Sequence, residues 1–145
     1  MIEDLIKKGL LTKTLRDVKK AEKSIDLAKQ RLEKALEEMA VKMPDDALMS
    51  AYTSMFHASR ALLFRDGFKE RSHYAICEYI REKYSNNIEA RYVNELNILR
   101  TIRHKVMYGD EELNNRKIQE TEARAAIQLA QGYLKQVRAL LGMAK

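Results

Sequence analysis

Between Pro44 and Gly67 the chain carries apolar or small residues on nearly every face of a helix, and that limits the folds open to it. From position 47 to 65, Leu48, Ala51, Tyr52, Met55, Phe56, Ala58, Ala61, Leu62, Leu63 and Phe64 leave no continuous polar side. A helix that is apolar all round cannot lie on a surface. It packs at the centre of a bundle or against a second subunit. Pro44 suits the first helical position, where its missing N–H costs nothing, and Asp45 and Asp46 suit the positive first turn. Gly67 is a stop.

Such a helix needs partners, and the sequence supplies them. Residues 2–10 predict a short helix ending at Gly9. Thr14 with Asp17 three residues on resembles a capping box, opening a long helix over 14–40. Leu15, Val18, Ile25, Ala28, Leu32, Ala35 and Met39 give that helix one apolar stripe, with charges opposite. Ser72 is a good N-cap for a helix running to 84, turned inward through Ile76, Tyr79 and Ile80. Ser85-Asn86-Asn87 reads as a turn, followed by a helix over 88–107. Asn114 and Asn115 are candidate caps for a last helix over 116–141, striped by Ile118, Ala125, Leu129, Tyr133, Val137 and Leu140. With five glycines and one proline in 145 residues, nothing argues for sheet. The expected fold is all-α: an antiparallel four-helix bundle with a short additional N-terminal helix, one domain over 1–145.

Several function classes drop out. Cys77 is the sole cysteine, which rules out an intrachain disulfide and any zinc-finger spacing. None of His57, His73 and His104 follows a glutamate by three residues, so no Glu-x-x-His di-iron motif is present. There is no glycine-rich phosphate loop and no catalytic triad legible from spacing. No metal or cofactor is expected. No apolar run approaches the ~20 residues of a membrane span, and Glu3 and Asp4 are foreign to a signal peptide, so a cytoplasmic protein is expected. The formal charge of +6 permits an acidic or nucleic-acid partner without requiring one. His57, set in an apolar surround, reads as a hydrogen-bonded structural histidine. The four tyrosines from Tyr74 to Tyr92 read as core-boundary residues, although stacking platforms for bases would use the same side chains.

The stretch from Leu96 to Asp110 breaks the pattern. Leu96, Leu99, Arg103 and Val106 fall on one helical stripe, so an arginine stands where an apolar side chain belongs. A buried guanidinium is costly unless paired, which asks for an ion pair, a subunit interface or a polyanion. Arg100, His104 and Tyr108 form a second ladder at i, i+4, i+8, and Gly109 ends the helix. The plainer reading has Arg103 snorkelling from the core edge and His104 solvated near the negative helix end.

Three segments together resemble the HEPN domain, and in particular small stand-alone prokaryotic HEPN proteins. They are Ala51 to Leu63, which resembles a second-helix signature; Ser72-His73, which resembles a short Ser-His helix start; and Leu99 to Asp110, where an arginine precedes a Tyr-Gly-Asp end. The resemblance covers about residues 12–140. It implies a bundle that dimerises, often a metal-independent endoribonuclease in toxin–antitoxin or defence systems, with both copies lining one cleft. The family motif is an arginine, a polar residue, a short spacer and a histidine. Arg103 matches the arginine and His104 the polar residue, but Tyr108 stands where the histidine is expected. Arg103, His104 and Tyr108 are thereby candidate catalytic residues, and Arg100, Arg103 and Lys105 candidate RNA- or nucleotide-binding residues. The resemblance also implies a small nucleotidyltransferase as protein partner, for which Tyr108 could be a modification target. The alternative is a catalytically silent HEPN subunit that scaffolds such an enzyme.

Overall fold

The computed structural model describes residues 1–107 and 118–143. Within them lie helices α1 (Ile2–Lys7), α2 (Val18–Ala40), α3 (Pro44–Asp66), α4 (His73–Lys83), α5 (Ala90–Met107) and α6 (Glu120–Leu140), and strands β1 (Leu11–Lys13) and β2 (Phe68–Glu70). The Val106 side chain, Tyr108, Gly109, Asn114 and Asn115 fall outside the described residues. No described helix is long and apolar enough to cross a membrane.

Helix α3 is buried along its length, as its composition requires. Ala47, Leu48, Ala51, Tyr52, Met55, Ala58, Ala61, Leu62, Leu63 and Phe64 all lie in the core. A three-residue turn with Lys42 at φ +58° folds α2 back along α3. The other main partner of α3 is α6, and small residues let these helices approach closely: Ala28 and Ala35 on α2, and Ala123, Ala126 and Ala130 on α6. The serines that interrupt α3 are satisfied. Ser54 Oγ donates to Ala28 O (2.7 Å), and Ser59 Oγ bonds Met55 O (2.8 Å) and the Tyr133 hydroxyl (2.6 Å).

At its C-terminus α3 ends in a left-handed glycine, Gly67 at φ +88°. A Cβ there would also sit 2.9 Å from Thr14 O, so the position excludes a side chain twice over. This close approach belongs to a strand pair that the sequence reading missed. β1 and β2 run antiparallel with Leu11 opposite Glu70 and Lys13 opposite Phe68, flanked by Thr14 N–H donating to Gly67 O (2.8 Å). Three-residue strands are too short to show alternation, which is why no periodicity marked them. The pair also displaces the start of α2. Thr14 is no cap: Asp17 is, accepting from Lys20 N (3.0 Å), and Leu15, expected in the apolar stripe, is 90% exposed, with Val18 exposed too. The cap of α6 is Gln119, its N–H donating to the Glu122 carboxylate (3.3 Å). Ala125 is exposed, and Ala123, Ala126 and Ile127 are buried instead.

A polar network closes the end of the core beyond α3. Asp66 accepts from the hydroxyls of Tyr79 (2.7 Å) and Tyr84 (2.5 Å), while Arg65 donates to the Tyr84 hydroxyl (2.8 Å) and to Leu140 O (2.6 Å). Burial and the Asp66 carboxylate hold both phenols protonated well above their ordinary range. The two residues thus bind α4 and the end of α6 to α3.

Helices α5 and α6 meet at Gly132. A Cβ at this position would lie 2.6 Å from Tyr92 Cζ and 2.8 Å from its Cε1. Gly132→Ala should destabilise the fold by about 1–3 kcal/mol, the usual cost of overpacking, even though alanine is the better helix former by about 1 kcal/mol. Urea denaturation checks this. A gain in stability would mean that the two helices separate without loss.

Candidate functional site

The stripe Tyr52, Phe56, Arg60 recurs at i, i+4, i+8 on α3 and so lies on one face of that helix. His73, the first residue of α4, meets this face. Ser72 caps α4 by accepting from Ala75 N (3.0 Å), which fixes where the helix begins and hence where the imidazole sits. The ring stacks on Phe56 at 4.2 Å between centroids, and its Nδ1 lies 2.6 Å from the buried Tyr52 hydroxyl.

Helix α5 brings two arginines to the same place. Leu96 and Leu99 are buried as the stripe predicted, and Arg103, one turn on, is half-buried. Arg100 bonds Asn97 Oδ1 through Nε (3.2 Å) and Nη2 (3.0 Å), and its guanidinium lies 5.7 Å from the Tyr74 ring centroid. Burial raises the nearby Cys77 thiol to about 11 against the opposing pull of Arg100. Among the described residues neither Arg100 nor Arg103 pairs with a carboxylate. Arg60 differs, since it pairs with Glu70 (3.0 Å) and stacks over Phe56 and Phe64.

The electrostatics follow from this crowding. Burial, then the positive charges of Arg103, Arg100 and Arg60, lower the His73 pKa to about 4, so the ring is neutral at pH 7. Burial keeps the Tyr52 phenol un-ionised, with Arg103 and Arg100 opposing that shift. A neutral imidazole bonded at Nδ1 to a phenol has two tautomers. With the phenol proton donated to Nδ1, Nε2 carries hydrogen and can donate to an anion; reversed, Nε2 is a base. Guanidinia without carboxylate partners among the described residues, a polar ring and a stacked aromatic make an arrangement suited to a phosphate-bearing ligand.

Of the residues expected from sequence, Arg100 and Arg103 come together here. His104 and Lys105 are exposed on the last described turn of α5, and Tyr108 lies outside the described residues. Sequence reasoning noted His73 only as part of a helix start and counted Tyr52 and Phe56 as core. The i, i+4, i+8 spacing from Tyr52 to Arg60 was the available signal. His57 departs from its expected role as well: its Nδ1 is buried without a hydrogen-bond partner among the described residues. Burial, then Arg60 and Arg31, hold its ring neutral, with a pKa lowered to about 4.

A protein-family model described as the HEPN domain matches residues 10–140. No curated protein matches the chain.

Both depressed histidines make stability depend on pH. The unfolded chain binds protons at these rings below about 6.5, whereas the folded chain resists until about 4. Stability should therefore be fully present above pH 6.5 and fall as the pH drops towards 4. Urea midpoints at pH 7 and pH 5 should show a smaller loss in His57→Gln and in His73→Gln than in the parent chain. Equal losses in all three proteins would refute this assignment.

Proposed function

The chain belongs to the HEPN domain family, and from that premise we propose that it is the helical member of a toxin–antitoxin type module that engages RNA or nucleotide phosphate. In this reading its four longest helices form the family's antiparallel four-helix bundle, two copies pair around one cleft, and a small nucleotidyltransferase is the partner protein. The observation that supports an anion site is the set of charges around His73. Arg103, Arg100 and Arg60 all bear on one neutral imidazole, and the first two have no carboxylate partner among the described residues.

Metal-independent RNA cleavage needs a base for the 2′-hydroxyl, an acid for the leaving oxygen and positive charge on the phosphorane. Arg103 is assigned the phosphorane, with Arg100 and Lys105 holding neighbouring phosphates. His104 and Tyr108 are the motif's candidates for proton transfer, and tyrosine is a weak base near neutral pH. His73 supplies what the motif lacks, because an anion drawn to the two arginines would offset the charges that depress it and return its pKa towards neutrality. A catalytically silent subunit that scaffolds a nucleotidyltransferase is the second reading, favoured by the tyrosine at the motif's histidine position.

The test is incubation of the purified protein with total cellular RNA in a chelator, beside Arg103→Ala, Tyr108→Phe and His73→Gln. Cleavage should fall about a hundredfold or more in Arg103→Ala and in His73→Gln, and persist in Tyr108→Phe. Persistence in His73→Gln with loss in Tyr108→Phe would return the proton transfer to the motif. RNA left intact by the folded parent protein would remove the enzyme and leave the scaffold.

A further inference from the structure

Away from the His73 cluster, α2 and α6 border a groove of about 490 Å³. Its floor is apolar, made by Leu32 and Leu36 of α2 and Leu134 of α6, and Leu36 is 47% exposed. Its rim is basic. Among the described residues that line it, Lys29, Lys135 and Arg138 are the cations and Glu33 the acid. The groove is lined from Lys29 to Leu36 on one helix and from Gln131 to Ala139 on the other. At 1.5 Å per residue each wall is roughly 11–12 Å long, or about two helical turns.

We propose that this groove docks an acidic amphipathic helix of a partner protein. Two turns of a helix carrying apolar side chains at i, i+3, i+4 and i+7 would place them over Leu32, Leu36 and Leu134. Glutamates or aspartates flanking that stripe would face Lys29 and Lys135. The same charge argument disfavours a second copy of this chain on its own groove, because a two-fold contact would set Lys29 and Lys135 against themselves. The site shares no residue with the Tyr52–His73 cluster, so it stands or falls separately from the phosphate reading.

The probe is a fluorescein-labelled helical peptide of about 15 residues, with leucines at i, i+3, i+4 and i+7 and glutamates elsewhere on the exposed face, beside a counterpart with lysine for every glutamate. Fluorescence anisotropy should show the glutamate peptide binding the full chain at least about tenfold tighter than the lysine peptide, and more weakly as salt rises. Lys29→Glu with Lys135→Glu should invert that preference. Leu36→Asp should weaken the glutamate peptide about tenfold. Leu36 and Lys135 are exposed and Lys29 is partly so, and unchanged thermal melts would show that the variants fold. The proposal is overturned if the glutamate peptide fails to saturate below millimolar concentration, or if the charge-reversed variant keeps the parent's preference. Self-association abolished by Leu36→Asp in sedimentation velocity would also overturn it, in favour of a second copy.

Discussion

Burial of α3 along its length is the constraint from which the rest of the structure follows. A helix of this composition left exposed would place several large side chains in water, at roughly 1.5–3 kcal/mol each. Surrounding it takes helices on all faces, and α2, α6, α5 and α4 each contact it. Burial also presses the polar groups on α3 to find partners inside, although His57 Nδ1 has none among the described residues. Ser54 and Ser59 do so through backbone carbonyls and Tyr133, and Asp66 through two tyrosine hydroxyls. These bonds fix rotation and register, which hydrophobic contact alone leaves loose.

The site is a by-product of that enclosure. The Tyr52–Phe56–Arg60 stripe of α3 runs from the core to its partly exposed side, and there it meets the first turn of α4 and the later turns of α5. The Asp66 network holds α4 in place from its far end through Tyr79 and Tyr84, while the Ser72 cap holds the near end. His73 therefore sits on a helix secured at both termini. Such a ring is placed by packing, and its chemistry is set by the cations that the packing brings beside it.

Long periodic features were readable from sequence, and features created by tertiary contact were not. The central helix, its proline start and its glycine stop follow from composition, local backbone geometry and the absence of a proline N–H, all of which are sequence-local. The strand pair is not local, because residues 11–13 and 68–70 lie far apart and each alone resembles a loop. The start of α2 was hidden for the same reason: pairing with the segment after α3 keeps the chain extended past Thr14, whose N–H donates to Gly67 O, as far as Asp17, whose N–H donates to Phe64 O and whose carboxylate caps the helix. At the site, Arg103 was legible as an apolar-stripe violation. His73 was not, since its partners Tyr52 and Phe56 are equally good core residues and only the three-dimensional fold distinguishes a core tyrosine from one bonded to an imidazole.

The stripe violation also carries an energetic argument. A chain selected for stability alone would place leucine at position 103, continuing Leu96 and Leu99 into the core. An arginine there loses hydration, and it lies close enough to His73 to lower the pKa of that ring along with Arg100 and Arg60. Arg60 offsets its own charge through Glu70, but Arg100 and Arg103 have no such carboxylate among the described residues. Among the described residues these like charges have no counter-ion, and an arriving anion would be attracted to both guanidinia and would offset the charges that hold the imidazole neutral. The same residues whose positive charges crowd together here are those that would make phosphate binding favourable. Local conflict of this kind, inside a fold that is otherwise consistent from propensity to packing, is where function is to be sought.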